Sequence, residues 1–573
     1  MDPQKWILSI ITLICILGAS VFMLSAMDSS SIRTEIIGQL NRVVPDGLGG
    51  WSAVFTTPTT ATKSGENQKG KLLPVQVNLT TCLPTFGRPG KPVYCCPPRN
   101  MLDDPIVDFE FPDPTQTPVL VRRFAHRLDE ESIAKYEKAV SIMRSLPYSD
   151  PRSFTRQANL HCQYCTGSFL QQHSTLPVRV HKTWIFFPWH RMYLYFHEKI
   201  LGNLIGDENF AIPFWPWDLP EGMTLPAFYL NGSFINHQRD PTHFPPAVAD
   251  LDFQLAPGGS TPEEQTDLNL ALMYNQMVSG AKTAELFMGC AYKTGEGGDC
   301  FGPGTMERAP HNTIHKWVGS EFHTGREDMG VFYSAARDPS FYAHHSNIDR
   351  LWEVWRSTHP EMNDPEFLDS YMYFHDENRR LVRIRFRDVM DIDMLRYRYE
   401  DVENTWLAAR PKPSVPPRLA RREIREREER LELPGSHFGP TGRVLDSPVT
   451  VRVVRPREVR SRTRRGKEQQ LEEILVVEGI DVKADDFVKF DVYVNVVNGT
   501  IMSPKYREFV GTFVDIPSGS SVGKKITLKL GISEALEDLE ADQDRAIWVT
   551  LLPRTENCNK VIVDGLRVEF TRK

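Results

Sequence analysis

Histidines constrain this chain more than any other feature. Two stretches concentrate imidazoles among apolar and aromatic residues. The first runs from His161-Cys-Gln-Tyr-Cys165 through VRVHKTWIFFPWHRMYLYFHEKI, which carries His181 and His190. The second is PHNTIHKW, with His311 and His315, followed by DPSFYAHHSNIDRLWEVW with His344 and His345. One histidine in such surroundings is usually structural, but six or more call for a fold that gathers them. His311 and His315 are four residues apart, so on a helix both rings leave from one face. His181 and His190 are nine apart and would oppose each other on a continuous helix. Pro188 predicts a helix start between them, leaving His181 outside and His190 in the first turn. His345 precedes Asp349 by four residues, a carboxylate able to orient the ring or to pair with Arg350.

The donor set narrows the metal. Without Glu-x-x-His pairs, a carboxylate-rich di-iron site is disfavoured. A single hydrolytic zinc has no use for two neighbouring all-histidine sets. Imidazole-rich, carboxylate-poor ligation suits copper. Two sets, His161/His181/His190 and His311/His315/His345, would place two copper ions close enough to share dioxygen. Spacing alone does not choose between His344 and His345.

The rest of the chain organises around these clusters. Its 573 residues exceed one ordinary core and predict several domains. Trp6 to Met27 is a nearly uncharged apolar run of 22 residues. It predicts entry to the secretory route, as a cleaved signal peptide or as a single membrane anchor over 1–27. Asn78, Asn231 and Asn498 open glycosylation sequons that agree with that route. Residues 28–80 read as a flexible stem, and 81–407 as helices alternating with Pro/Gly-rich loops. Helical spacing predicts a helix over Ser132–Ser145, an aromatic-rich one over Met192–Ile205 and another over Ile348–Trp355. Residues 408–470 read as a Pro/Arg-rich linker: Arg410 to Lys467 holds 15 arginines and two lysines against seven acidic residues. Mixed-sign runs such as RREIREREER mark solvated linkers or exposed helix faces, and the net charge of −7 gives no reason to expect nucleic acid. From Leu471 to 573 the pattern changes to period two, predicting six or seven strands in a small β-sandwich or barrel.

The chain resembles the plant polyphenol oxidases (catechol oxidase/tyrosinase), members of the type 3 copper proteins. The carrying segments are DPRSFTRQANLHCQYC, FFPWHRMYLYFHEKI, FAIPFWPWD, PHNTIHKW, EDMGVFYSAARDPSFYAHHSNIDRLW, FLDSYMYFHDEN, the pair Tyr397 and Tyr399, and KFDVYV. They run in family order through residues 82–573. The resemblance implies a mainly α catalytic domain, a four-helix bundle with long loops around two coppers, followed by an all-β C-terminal domain that keeps the enzyme latent until it is displaced. It implies His161, His181 and His190 on one copper, and His311, His315 and His345 on the other. It further implies a thioether between Cys165 and His181, and disulfides Cys82–Cys96 and Cys95–Cys162. Phe332 matches the family's gate residue. Glu307, with Asn312 beside it, matches the family's water-orienting glutamate, a carboxylate that would hold a water able to accept a phenolic proton.

From the residues, Cys162 and Cys165 also fit a CxxC redox or zinc pair. Cys290 and Cys300 fit a loop bridge, and Cys558 has no assigned role. Pro216 stands where the family commonly has Asn, and EFLD replaces DWLD. The implied function is oxidation of o-diphenols to o-quinones by O2, with phenols as partners, o-hydroxylation of monophenols as an extension, and a protease as activator through the Arg-rich linker. Reversible dioxygen binding and a specialised flavonoid or chalcone oxidase are the alternatives. The hydrophobic leader favours a secretory lumen (Golgi or vacuole), while the resemblance points to the thylakoid lumen.

Overall fold

The structure, a computed structural model, describes residues 72–86, 92–98, 104–254, 260–323, 325–429, 438–456, 471–483, 487–516 and 525–572. The leader over 1–27 and the stretch 28–71 lie outside the described residues. Among the described residues no helix is long and apolar enough to cross a membrane.

Helices build the first part. Helix α1 (Glu130–Ser145) starts where the Asp129 carboxylate accepts the Ser132 amide, and it buries Tyr136, Ala139, Val140 and Met143. Helix α2 (Phe154–Cys165) is buried almost throughout. Helix α3 (Phe186–Ile205) begins two residues ahead of Pro188, a ring tolerated in a first turn because that amide has no helical acceptor. His181 lies outside α3, as the spacing requires. Helix α4 (Pro262–Tyr274) opens on a capping box of Thr261 and Glu264. Helices α5 (Asn312–Val318) and α6 (Ser340–Arg356) carry the second cluster. The core between them is strongly aromatic, with Trp189, Trp215, Trp217, Trp352 and Trp406 fully buried.

The two tyrosines of the YRY motif tie this bundle together. Their strand, Tyr397–Tyr399, runs parallel to Leu120–Arg122. Both hydroxyls donate to Asp349 of α6 (2.7 and 2.6 Å), which also pairs with Arg191 of α3 (2.6 Å) and Arg122 (3.3 Å). Asp349 therefore neither orients His345 nor pairs with Arg350, correcting both expectations. Arg350 instead pairs with buried Asp218 (2.6 Å). Four partners, two of them cations, hold the Asp349 carboxyl below its usual range against its burial.

The C-terminal module is a sandwich of two antiparallel sheets. Strands β1 (Val449–Val454), β2 (Leu471–Val482), β3 (Val488–Val494), β4 (Phe509–Asp515), β5 (Ile526–Gly531), β6 (Ala546–Pro553), β7 (Val561–Val563) and β8 (Gly565–Arg572) form it. One sheet has the order β1-β6-β3-β4. In the other, β2 pairs with β5, β7 and β8, and Arg443–Val444 adds to β7. The module starts well before the expected boundary at 471. Val449, Val451 and Val453 alternate inward along β1, a period-two strand hidden among basic residues.

The expected linker is likewise partly ordered. Helix α7 (Pro417–Glu429) lays Ala420 and Ile424 on Val497 and Trp548 of the module. The packed chain also begins earlier than 81. Leu73 bridges Thr294, and Val77–Asn78 pairs with Leu170–Gln171.

Candidate metal centre

Six imidazoles meet where α2, α3, α5 and α6 converge. His161 sits in the last turns of α2, His181 in the loop beyond it, and His190 one turn into α3. Their ring centroids are 5.3–5.6 Å apart. His311 ends a wide turn, Glu307–His311, kinked at extended Ala309, and His315 follows on α5 with its ring 4.6 Å away. His345 of α6 lies 4.9 and 5.5 Å from those two rings. The two groups touch, since His190 stacks on His345 at 4.1 Å and His181 faces His311 at 5.6 Å. Within the sets His161/Cys165/His181/His190 and His311/His315/His344/His345, one ligand atom per residue lies within 4.8 Å of the others.

Backbone carbonyls choose the tautomers. The Nδ1–H of His161 donates to the Phe332 carbonyl (2.7 Å), that of His190 to Phe186 (2.7 Å) and that of His315 to Met329 (2.9 Å). His311 Nδ1 faces the Glu307 carbonyl (3.2 Å) and Asn312 Oδ1 (3.0 Å). Each arrangement leaves the Nε2 lone pair pointing into the cluster. The Nε2 atoms of His161, His181, His190 and His311 are buried without a hydrogen-bond partner, and those of His315 and His345 lie 3.3 Å apart. The last pair is within reach of one Nε2–H donating to the other ring, and the unpartnered Nε2 atoms aimed at the shared space are what fits a metal pair.

The same logic separates His344 from His345. The Trp217 indole N–H, which can only donate, donates to His344 Nδ1 (3.0 Å). The neutral ring then carries its proton on Nε2 and has no lone pair left for a metal. His345 has no such donor. Burial holds all these rings in the neutral, ligating form: His161 falls to about 3 and His315 to about 4, while the others lie well below their usual value.

The other expected residues surround the cluster. The Phe332 ring stacks on His181 at 4.1 Å and 7°. Buried Glu307 accepts the Lys182 amide (2.6 Å), and burial pushes its carboxyl up to about 8. Asn312 Nδ2 donates to the Val514 carbonyl of β4 (3.1 Å). Cys165 is a buried free thiol beside His181, kept protonated by burial. Disulfides join Cys82 to Cys96, Cys95 to Cys162 and Cys290 to Cys300, so Cys162 belongs to a bridge rather than to a CxxC pair. Asn231 and Asn498 are exposed; the half-buried Asn78 accepts from its own Thr80.

The C-terminal module was expected over the centre, but the sequence did not say which of its residues cover it. The end of β4 lies on it, with Asp515 paired to Lys182 (2.5 Å). Lys489 and Asp491 of the KFDVYV segment form a fully buried cluster with Asp252 of the helical part (3.2 and 2.6 Å from the ammonium). Phe301, from the loop closed by Cys290–Cys300, packs into the sandwich core.

Comparison with known proteins matches this layout. Residues 151–358 match the common central domain of tyrosinase, 361–412 the polyphenol oxidase middle domain, and 441–570 the chloroplastic polyphenol oxidase C-terminal domain. Aureusidin synthase of Antirrhinum majus is 45% identical over 84% of this chain and 85% of its own. The chloroplastic polyphenol oxidase of Malus domestica is 40% identical over 84% of this chain and 81% of its own. The chain belongs to the plant polyphenol oxidase family. Among solved structures, latent apple tyrosinase aligns with a TM-score of 0.71 at 38% identity, covering 82% of this chain and all of that one. Latent aurone synthase aligns with a TM-score of 0.77 at 32% identity, covering 87% of this chain and 99% of that one. The protein is accordingly a copper oxidoreductase with a helical core and a C-terminal β-module, and the two histidine groups fit the family's pair of copper ions.

Proposed function

We propose that this protein oxidises o-diphenols to o-quinones with O2 at a two-copper centre held by His161, His181 and His190 on one side and His311, His315 and His345 on the other. The observation that carries the reading is the convergence of buried Nε2 atoms on a shared space, four of the rings being set by acceptors at Nδ1. When bound, a copper pair supplies dioxygen binding and two-electron redox chemistry. The overall balance is two catechols and one O2 to two quinones and two waters.

The chain's own residues do the positioning. Aromatic walls such as Phe186, whose ring lies 4.8 Å from His190 and 4.7 Å from His311, exclude bulk water. Phe332, stacked on His181, is the proposed gate. Glu307, with Asn312, is proposed to hold a water that accepts a phenolic proton and so to extend the reaction to monophenols. Cys165 is the proposed thioether partner of His181. The lid formed by β4 supports a latent state, relieved when the C-terminal module is displaced or its connection is cut by a protease.

Copper analysis combined with oxygen uptake tests this reading. Two coppers per chain and turnover of 4-methylcatechol after mild trypsin treatment are expected. Reversible O2 binding without quinone formation would make the protein a dioxygen carrier instead. A second reading, a specialised flavonoid or chalcone oxidase, is favoured by the 45% identity to aureusidin synthase. Comparing tyramine, 4-methylcatechol and a chalcone separates it from the general activity.

For location, the apolar leader and exposed sequons support a secretory lumen, with the leader either cleaved or kept as an anchor. The names of several relatives, chloroplastic polyphenol oxidases, support the plastid lumen. N-terminal sequencing and glycosidase treatment of the mature protein decide between them.

A further inference from the structure

Strand β4 ends on the seam between the two histidine sets. Its last residues touch the residue after one histidine of each set: the Val514 carbonyl accepts from Asn312, next to His311, and Asp515 pairs with Lys182, next to His181. The Asp515–Lys182 pair is sealed, its side chains 2% and 3% exposed. Lys182 also has a left-handed backbone (φ 62°) and gives its amide to Glu307, so its side chain is anchored at the rim of the centre. A second cation lies on the same face. Arg308 is fully buried, and one of its terminal nitrogens donates to the Lys529 carbonyl of β5 (3.1 Å). Its Nε and Nη2 find no hydrogen-bond partner among the described residues. The β4 backbone passes close above it, since a Cβ on Gly511 would come within 3.5 Å of Nη2.

A carboxylate held dry against an ammonium at the rim of a phenol-oxidising centre is the arrangement a substrate carboxylate would need. We propose that Lys182 anchors a carboxylate subsite at the mouth of the metal centre, with Arg308 adding positive charge, and that Asp515 fills this subsite while the β-module is docked. The uncovered enzyme then favours o-diphenols bearing a side-chain carboxylate over neutral ones. The inference rests on the polyphenol oxidase reading above and narrows its substrate class. Asp515 leaves with the module, and a substrate carboxylate can take its place against the Lys182 ammonium.

Two arms test it on the full chain. In the first, copper-loaded protein nicked with trypsin, both pieces retained, is assayed with 3-(3,4-dihydroxyphenyl)propionate and its methyl ester. The acid-to-ester ratio of kcat/KM is expected to exceed one, to fall about tenfold in Lys182→Gln through KM, and to recover in Lys182→Arg. Added salt should lower it. A ratio unmoved by Lys182→Gln overturns the subsite. In the second arm, calorimetry follows non-oxidisable 3-phenylpropionate binding to the un-nicked chain. Asp515→Asn should bind it at least about tenfold more tightly than the parent, and Asp515→Asn/Lys182→Gln should lose that gain. Equal affinities in all three proteins overturn the proposal. If two coppers bind but neither diphenol is oxidised, the functional reading fails, and the binding arm still decides the subsite.

Discussion

The inner wall of the metal centre and its outer cover draw on buried charge to different degrees. Inside, histidines are set by backbone carbonyls and packed among Phe186, Trp189, Phe332 and Phe341 in a dry aromatic core. Outside, the β-module adds charged and polar contacts to an apolar one in which Phe487, Tyr493, Phe509, Val514 and Ile516 join the helical core: Asp515 on Lys182, Lys489 on Asp252, and Arg507 beside Asn275 and Ser279. Water solvates the charges once they are parted, so buried pairs add less to the grip of the cover than their short distances suggest.

The sharpest way to break this contrast lies within the inner wall. His345→Asn is expected to lower bound copper to about one ion per chain and to abolish oxygen uptake, whereas His344→Asn should keep both ions. Metal analysis of the two variants decides it, and two coppers retained in His345→Asn would refute the tautomer argument.

The next largest effect is the response of the metal-free protein to acid. The folded rings resist protonation, with His161 near 3 and His315 near 4, while unfolded histidines take protons near 6.5. The unfolded state binds more protons below that value. Stability is therefore complete above about pH 6.5 and is lost as pH falls toward 4, by up to about 1.4 kcal/mol per pH unit for each such ring. Glu307 has the opposite sign. Its folded carboxyl holds a proton up to about 8, whereas the unfolded one releases it near 4.5, so its contribution declines as pH rises between those values. Urea unfolding of the metal-free protein across pH 5–8 should show the acid loss, and Glu307→Gln should remove the alkaline decline.

On the cover, Lys489→Met strands the carboxylate of Asp252 in a buried site, while Asp491 keeps Arg554 (2.6 Å). A cost of about 3–5 kcal/mol is expected, read as a lower melting temperature and catechol turnover without protease. A smaller effect tests the ring that does not ligate. Trp217→Phe removes the donor to His344 and should weaken copper binding about tenfold without changing its stoichiometry.

How much of this was readable in advance follows from range. The i, i+4 pair at His311 and His315, the helix start near Pro188 and the alternating strands after Leu471 are local patterns, and the structure contains all three. The separation of His344 from His345 was not legible, because it depends on Trp217, distant in sequence and joined only by folding. Asp349 misled for the same reason: four residues from His345, it turns instead to Arg122, Arg191, Tyr397 and Tyr399. The Arg-rich stretch hid β1 and α7, since its charges face outward while Val451, Ala420 and Ile424 face inward.

Phe301 carries a last consequence. It belongs to the helical part but joins the apolar interior of the sandwich, and its carbonyl accepts the Thr527 amide of strand β5. A ribosome finishes residue 301 long before it reaches the strands that shelter this ring, and early parts of a chain fold first. The newborn enzyme therefore waits with a greasy peg standing proud, and the last hundred or so residues must close over it before synthesis has yielded a finished molecule.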